Sequence, residues 1–231
     1  MNLETRYQEL WEHSTEKFRM GDFELDPMLN AESDDRYGIT LLARPSGNVR
    51  EKILKLLKHL SASAPGQYSY PGTDLHITVL SIISCHSGFT LDQIDREAYL
   101  SLIRPVVQSV SPFRITFHGV TASPSSILIQ GFPEENRLNE LRDRLRASFQ
   151  HSDLQHTIDR RYHRQTAHMT ALRFKKPLSN KERFLKTLSS VRNEEFGSTL
   201  IQELEFVGND WYQKQEKTEL VERIRLGTGQ S

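Results

Sequence analysis

Apolar residues at Leu3, Tyr7, Leu10, Trp11 and Phe18 recur at the spacing of one helical face, which predicts a helix over residues 1–20. The periodicity then lapses, and Asp26-Pro27 and Asn30 break the stretch from Gly21 to Asp35 into a loop. Residues 1–34 are therefore expected to form an extension packed on a main body of residues 35–231. In that body, Tyr37 to Ala43 is dense in strand-forming residues, and Val49, Ile53, Leu56, Leu57 and Leu60 trace an amphipathic helix. A Pro/Gly-rich turn over residues 64–72 leads into Leu75-His76-Ile77-Thr78-Val79-Leu80, a strand by its β-branched content.

The same alternation continues. A helix is expected over Leu91–Val110, strands over Phe113–Val120 and Ile127–Gln130, and a helix over Glu134–Phe149 carrying the stripe Leu138, Leu141, Leu145. Residues 165–174 read as a second histidine-bearing strand, followed by a helix over Asn180–Val191 and strands over Leu200–Val207 and Glu219–Leu226. The fold class is α+β, with two antiparallel-rich sheets flanked by helices.

Side chains two apart on a strand share a face. His76 and Thr78 then stand together, opposite Leu75, Ile77 and Val79, and His168 and Thr170 stand together, opposite Ala167, Met169 and Ala171. The chain holds nine histidines, for which ordinary residue usage gives about one His-x-Ser/Thr match by chance. Four occur, but His13–Thr15 and His59–Ser61 fall in helix-patterned stretches, where residues two apart diverge. The two strand-borne pairs remain.

His76-Ile77-Thr78-Val79 and His168-Met169-Thr170-Ala171, 92 residues apart, resemble the paired H-x-T-x motifs of the 2H phosphoesterase superfamily, which includes 2′-5′ RNA ligase-like proteins and RNA cyclic phosphodiesterases. The resemblance covers about Tyr37 to Leu226 and leaves residues 1–34 outside. It implies a bilobal fold with one motif from each lobe in a shared cleft. It also implies a phosphodiesterase in which His76 and His168 divide the general acid and base roles and Thr78 and Thr170 bind the phosphate, with no cofactor or metal. Histidine suits that division because its ordinary pKa, about 6.5, lets it take and give protons near neutrality.

Composition narrows the partner. Thirty Lys+Arg balance thirty Asp+Glu, whereas proteins that grip long nucleic acid are usually strongly basic. Balanced charge favours a small nucleotide or RNA end over long DNA, the resemblance implies that it bears a cyclic or 2′-5′ phosphodiester, and no apolar run is long enough to suggest a membrane span. The single cysteine, Cys85, precludes an internal disulfide and a four-cysteine zinc site. The charged N-terminal stretch does not read as a signal peptide, so a cytoplasmic monomer is expected.

Tyr70, Tyr162 and Arg164 are candidate substrate contacts: Tyr70 precedes the first motif, and the other two belong to the basic run before the second. Each has a plainer reading, as a core-capping tyrosine or a solvated loop. Arg173 has the wrong parity and is expected to face away from His168. His151, His156, His163 and His168 with Asp153 and Asp159 raise the question of a metal, but no H-E-x-x-H or H-x-H arrangement is present. The alternatives to hydrolysis are a module that only binds nucleotides or RNA ends, and a 2′-5′ ligase-like activity.

Overall fold

The computed structural model describes residues 2–29, 31, 33–160 and 165–228. Two antiparallel sheets carry the fold. The first runs β3 (Ile77–His86), β1 (Tyr37–Ala43), β8 (Glu203–Asp210), β9 (Glu219–Arg225). The second runs β2 (Tyr68–Ser69), β6 (Met169–Arg173), β5 (Ser126–Pro133), β4 (Phe113–Ser123), β7 (Glu195–Ile201). Each sheet holds one of the two histidine motifs. Helices α3 (Arg96–Gln108) and α4 (Arg137–Gln150) pack on the first sheet, α1 (Leu3–Met20) and α2 (Gly47–Ser61) pack on the second, and α5 (Lys181–Ser190) packs against α1 and α2. The architecture is the expected α+β one.

Local chemistry sets the helix ends. Asn2 accepts the Glu4 N–H at the start of α1, and Asn180 accepts the Arg183 N–H at the start of α5. The stretch expected as one helix over Leu91–Val110 is broken into a 3₁₀ turn and α3, because the Asp95 carboxylate caps the Glu97 and Ala98 N–H groups and starts the helix there. The strand expected over Leu200–Val207 is two strands. The chain crosses from the second sheet to the first at Gln202, in a stretch with neither Gly nor Pro to signal a break. Strand β2, two residues long, is too short to show a period, and it falls within the stretch expected as a turn.

The N-terminal segment is built into the second sheet. The Tyr7 hydroxyl bonds the carbonyl and N–H of Gly131, Ser14 donates to Ala122 O, and the buried Phe18 ring meets Phe174 edge-on at 5.2 Å. The following loop then bridges the two halves: Asp26 N–H donates to Phe174 O beside the second sheet, and the Tyr212 hydroxyl, just after β8 of the first sheet, donates to Asp26 Oδ1 at 2.8 Å. Among the described residues no helix is long and apolar enough to cross a membrane.

Candidate active site

Both histidines stand one residue before the strand that follows them, His76 before Ile77 and His168 before Met169. Alternation holds at that point in both. Leu75, Ile77 and Val79 are buried, as are Ala167, Met169 and Ala171, while the intervening His and Thr are half-buried. His76, Thr78, His168 and Thr170 all line one cleft of about 150 Å³ between the sheets. The four residues singled out in the sequence are thus brought together.

Each imidazole is oriented through Nδ1. His76 Nδ1 lies 2.7 Å from Asp74 O; a carbonyl only accepts, so Nδ1 carries the proton and the neutral ring has its lone pair on Nε2. The Asp74 turn is itself pinned, because its buried carboxylate accepts the Thr73 hydroxyl at 2.8 Å and the Gln215 N–H at 3.3 Å. His168 Nδ1 lies 2.7 Å from the Thr166 hydroxyl, a partner able to donate or accept.

One side chain links the motifs. Arg142, on α4 and fully buried, donates from Nε to Val79 O at 2.9 Å and from Nη2 to Thr78 O at 3.0 Å and Thr166 O at 2.9 Å. A single guanidinium therefore ties the first motif's peptides to the residue that orients the second histidine. Sequence reasoning missed it, though a signal existed: Arg142 falls on the stripe Leu138, Leu141, Leu145, where a solvated arginine does not belong. Close approach matters too. A Cβ at Gly131 would lie 2.1 Å from Ala167 O, and one at Gly38 would lie 2.3 Å from Ile83 O, so both strands need glycine for the motif-bearing chain to come this near.

Arg173 corrects an expectation. It lines the cleft beside His168 and Thr170 instead of facing away. Pairing of β6 with β5 shifts between Ile127↔Leu172 and Leu128↔Thr170, so β6 holds one extra residue and parity flips after it. The consecutive buried pair Ala171-Leu172 is the trace of that bulge in the sequence. On β3, three shifts against β1 place Thr78, Ser81 and Ser84 on the cleft at every third residue.

Tyr70 lines the cleft with its ring buried, and its hydroxyl accepts from Arg173 Nε at 2.9 Å. Burial pushes the Tyr70 phenol up from its ordinary pKa, against the pull of Arg173. Tyr162 and Arg164 lie outside the described residues. Asp159, just before them, also lines the cleft and pairs with Arg146 at 2.8 Å. Among the described residues no three His, Cys, Asp or Glu side chains converge as metal ligands would. His13 and His59 lie in α1 and α2, away from the cleft lining.

The profile of the 2′-5′ RNA ligase superfamily matches residues 49–210. No curated protein sequence matches. The fold is similar to that of TT0787 from Thermus thermophilus, at 16% identity and a TM-score of 0.61 over 84% of this chain and 100% of that one. It is also similar to E. coli LigT, solved in complex with 3′-AMP, at 13% identity and a TM-score of 0.59 over 83% of this chain and 98% of that one. A structure described as a phosphoesterase matches at 12% identity and a TM-score of 0.56, over 83% and 99% of the two chains.

Proposed function

The chain belongs to the 2′-5′ RNA ligase superfamily, and within it we propose a phosphodiesterase that hydrolyses a cyclic or 2′-5′ phosphodiester in a nucleotide or RNA end by acid–base catalysis between two histidines. The observation that carries this reading is the convergence of His76, Thr78, His168 and Thr170 on one cleft, with both imidazoles oriented through Nδ1.

One imidazole takes a proton from water as the water oxygen attacks phosphorus. The bond from phosphorus to the ribose oxygen breaks, and the other imidazole, protonated at the outset, gives its proton to that leaving oxygen. The product is a phosphomonoester with a free hydroxyl, and proton exchange with solvent resets the pair. Charge growing on the non-bridging oxygens is met by the Thr78 and Thr170 hydroxyls and by the Arg173 guanidinium, which Tyr70 holds in place. No step is assigned to a metal.

The test is turnover of 2′,3′-cyclic nucleotides and 2′-5′-linked dinucleotides by the purified chain. His76→Ala and His168→Ala should each lower kcat by about 10²- to 10⁴-fold, while a chelator leaves the wild type unchanged. Full turnover in either variant overturns the assignment. Nucleotide binding without turnover on any such substrate would mark the chain as a binding module instead.

A further inference from the structure

The end of β8 and the turn after it bring a second set of polar groups to the same cleft. Asn209, Trp211 and Gln213 all line it. Asn209 pairs with Gly38 across β1, and Thr78 pairs with Leu42 on that strand's other side, four residues along. That is about 13 Å along the strands, on top of two strand spacings of about 5 Å each between β3 and β8, from the threonine of the first motif. A bare phosphate does not span that gap; the nucleoside attached to it does.

Two features mark this wall as built to receive something. Asn209 is 2% exposed and Gln213 4% exposed, yet Asn209 Oδ1 and Gln213 Oε1 have no hydrogen-bond partner among the described residues. The Asn209 amide is fixed end for end, since its nitrogen donates to Asp210 O at 2.8 Å, so the unmet group is an acceptor. Gln213 also has φ of +59°, a left-handed backbone that glutamine rarely adopts and that glycine would take with less strain. The position carries a long amide where the backbone favours no side chain at all. The terminal torsions of Asn and Gln are broad, so a small rotation presents the Gln213 oxygen to the cleft. The Trp211 ring, with the Arg36 guanidinium 5.0 Å from its centroid, supplies the apolar part of the same wall.

Two unmet acceptors call for two donors. A phosphate offers only acceptors at neutral pH. The exocyclic amino group of adenine, cytosine or guanine offers two N–H donors, whereas uracil offers a single N3–H between two carbonyl oxygens, which leaves one amide oxygen facing a carbonyl. We infer that Asn209 and Gln213 form a base-reading subsite that selects an amino-bearing nucleobase on the phosphodiester bound at the histidines. The inference rests on the nucleotide substrate proposed above.

The experiment compares kcat/KM for 2′,3′-cyclic AMP, CMP and UMP in the wild type, Asn209→Leu and Gln213→Gly. The glycine variant relieves the left-handed strain and remains testable if the leucine variant does not fold. The wild type should favour AMP and CMP over UMP by at least about tenfold, the effect of one buried hydrogen bond left unmade. Each variant should compress that ratio to less than about threefold. Equal kcat/KM for all three bases in the wild type, or an unchanged ratio in the folded variants, overturns the subsite while leaving the catalytic reading intact. If no nucleotide is turned over, calorimetric binding of 3′-AMP against 3′-UMP decides: a base preference that both variants abolish upholds the subsite although the catalytic reading has failed, and its absence removes both.

Discussion

The two motifs occupy matching positions on different sheets, but they are held by different means. His76 is oriented by a main-chain carbonyl, that of Asp74, and the turn around it is fixed by an aspartate that caps a backbone N–H in another loop. His168 is oriented by a side-chain hydroxyl, that of Thr166. The carbonyl can only accept, so it fixes one tautomer; the hydroxyl can also donate, so it tolerates either. The first imidazole is thus committed to Nδ1–H, whereas the second can follow a change of protonation on its ring. Two sites that are alike as four-residue motifs differ in which is rigid and which adapts.

The largest expected effect comes from removing what the two halves share. Arg142→Met should destabilise the fold by about 3 to 5 kcal/mol, because three carbonyls lose a charged donor in a buried site. On the proposed mechanism it should also lower kcat about hundredfold with little change in KM, as both motifs drift. Thermal melts and steady-state kinetics on one preparation check this, and wild-type kcat in a folded Arg142→Met would show that the link is merely structural.

Gly131→Ala strikes the second motif alone. The added Cβ meets Ala167 O at 2.1 Å, which should cost about 1 to 3 kcal/mol of stability. Gly47→Ala, at a position with nothing within 4 Å, is the control and should be neutral or slightly stabilising. Thr166→Val sharpens the comparison itself. It should lower kcat about tenfold, one hydrogen bond's worth, and shift one limb of the pH–rate profile, the one that His168 sets, since its tautomer loses its guide. An unshifted profile would show that the hydroxyl does not set the proton's position.

The smallest effect concerns the loop that pins the first motif. Burial pushes the Asp210 carboxyl above its ordinary pKa, against hydrogen bonds from the Lys214 and Tyr212 N–H groups. A carboxyl raised in the folded state contributes stability below its unfolded pKa and loses it as pH rises through the folded value. Asp210→Asn keeps an oxygen for those N–H groups, so its melting temperature should match the wild type at low pH and exceed it at pH 7 to 8. A variant equally or less stable at the higher pH would contradict the direction.

Much of this was legible in the chain. The bounds of β1 follow from its density of strand-forming residues, all but Tyr37 buried, and the parity of His76–Thr78 and His168–Thr170 follows from alternation, since a strand with one buried face writes its period into the sequence. What escaped has physical reasons. Arg173 faces the cleft through a bulge, and one inserted residue inverts every parity argument beyond it. Arg142 works by bonding carbonyls, which every residue possesses, so its partners leave no trace in residue identity. Asn209 and Gln213 are ordinary amides in the sequence, and only their burial with unmet oxygens sets them apart.

The guanidinium buried between the motifs also constrains how such a protein can move. Clefts formed by two halves often open by a hinge between them, but here the two motif strands are stitched together behind the cleft by bonds that a rocking motion would have to break in a dry interior. On the proposed function, entry and exit of a substrate then fall to the rim, while the spacing between the motifs is kept throughout. The second half, excised as a separate unit, would lose the guanidinium that holds Thr166, the residue that orients its imidazole.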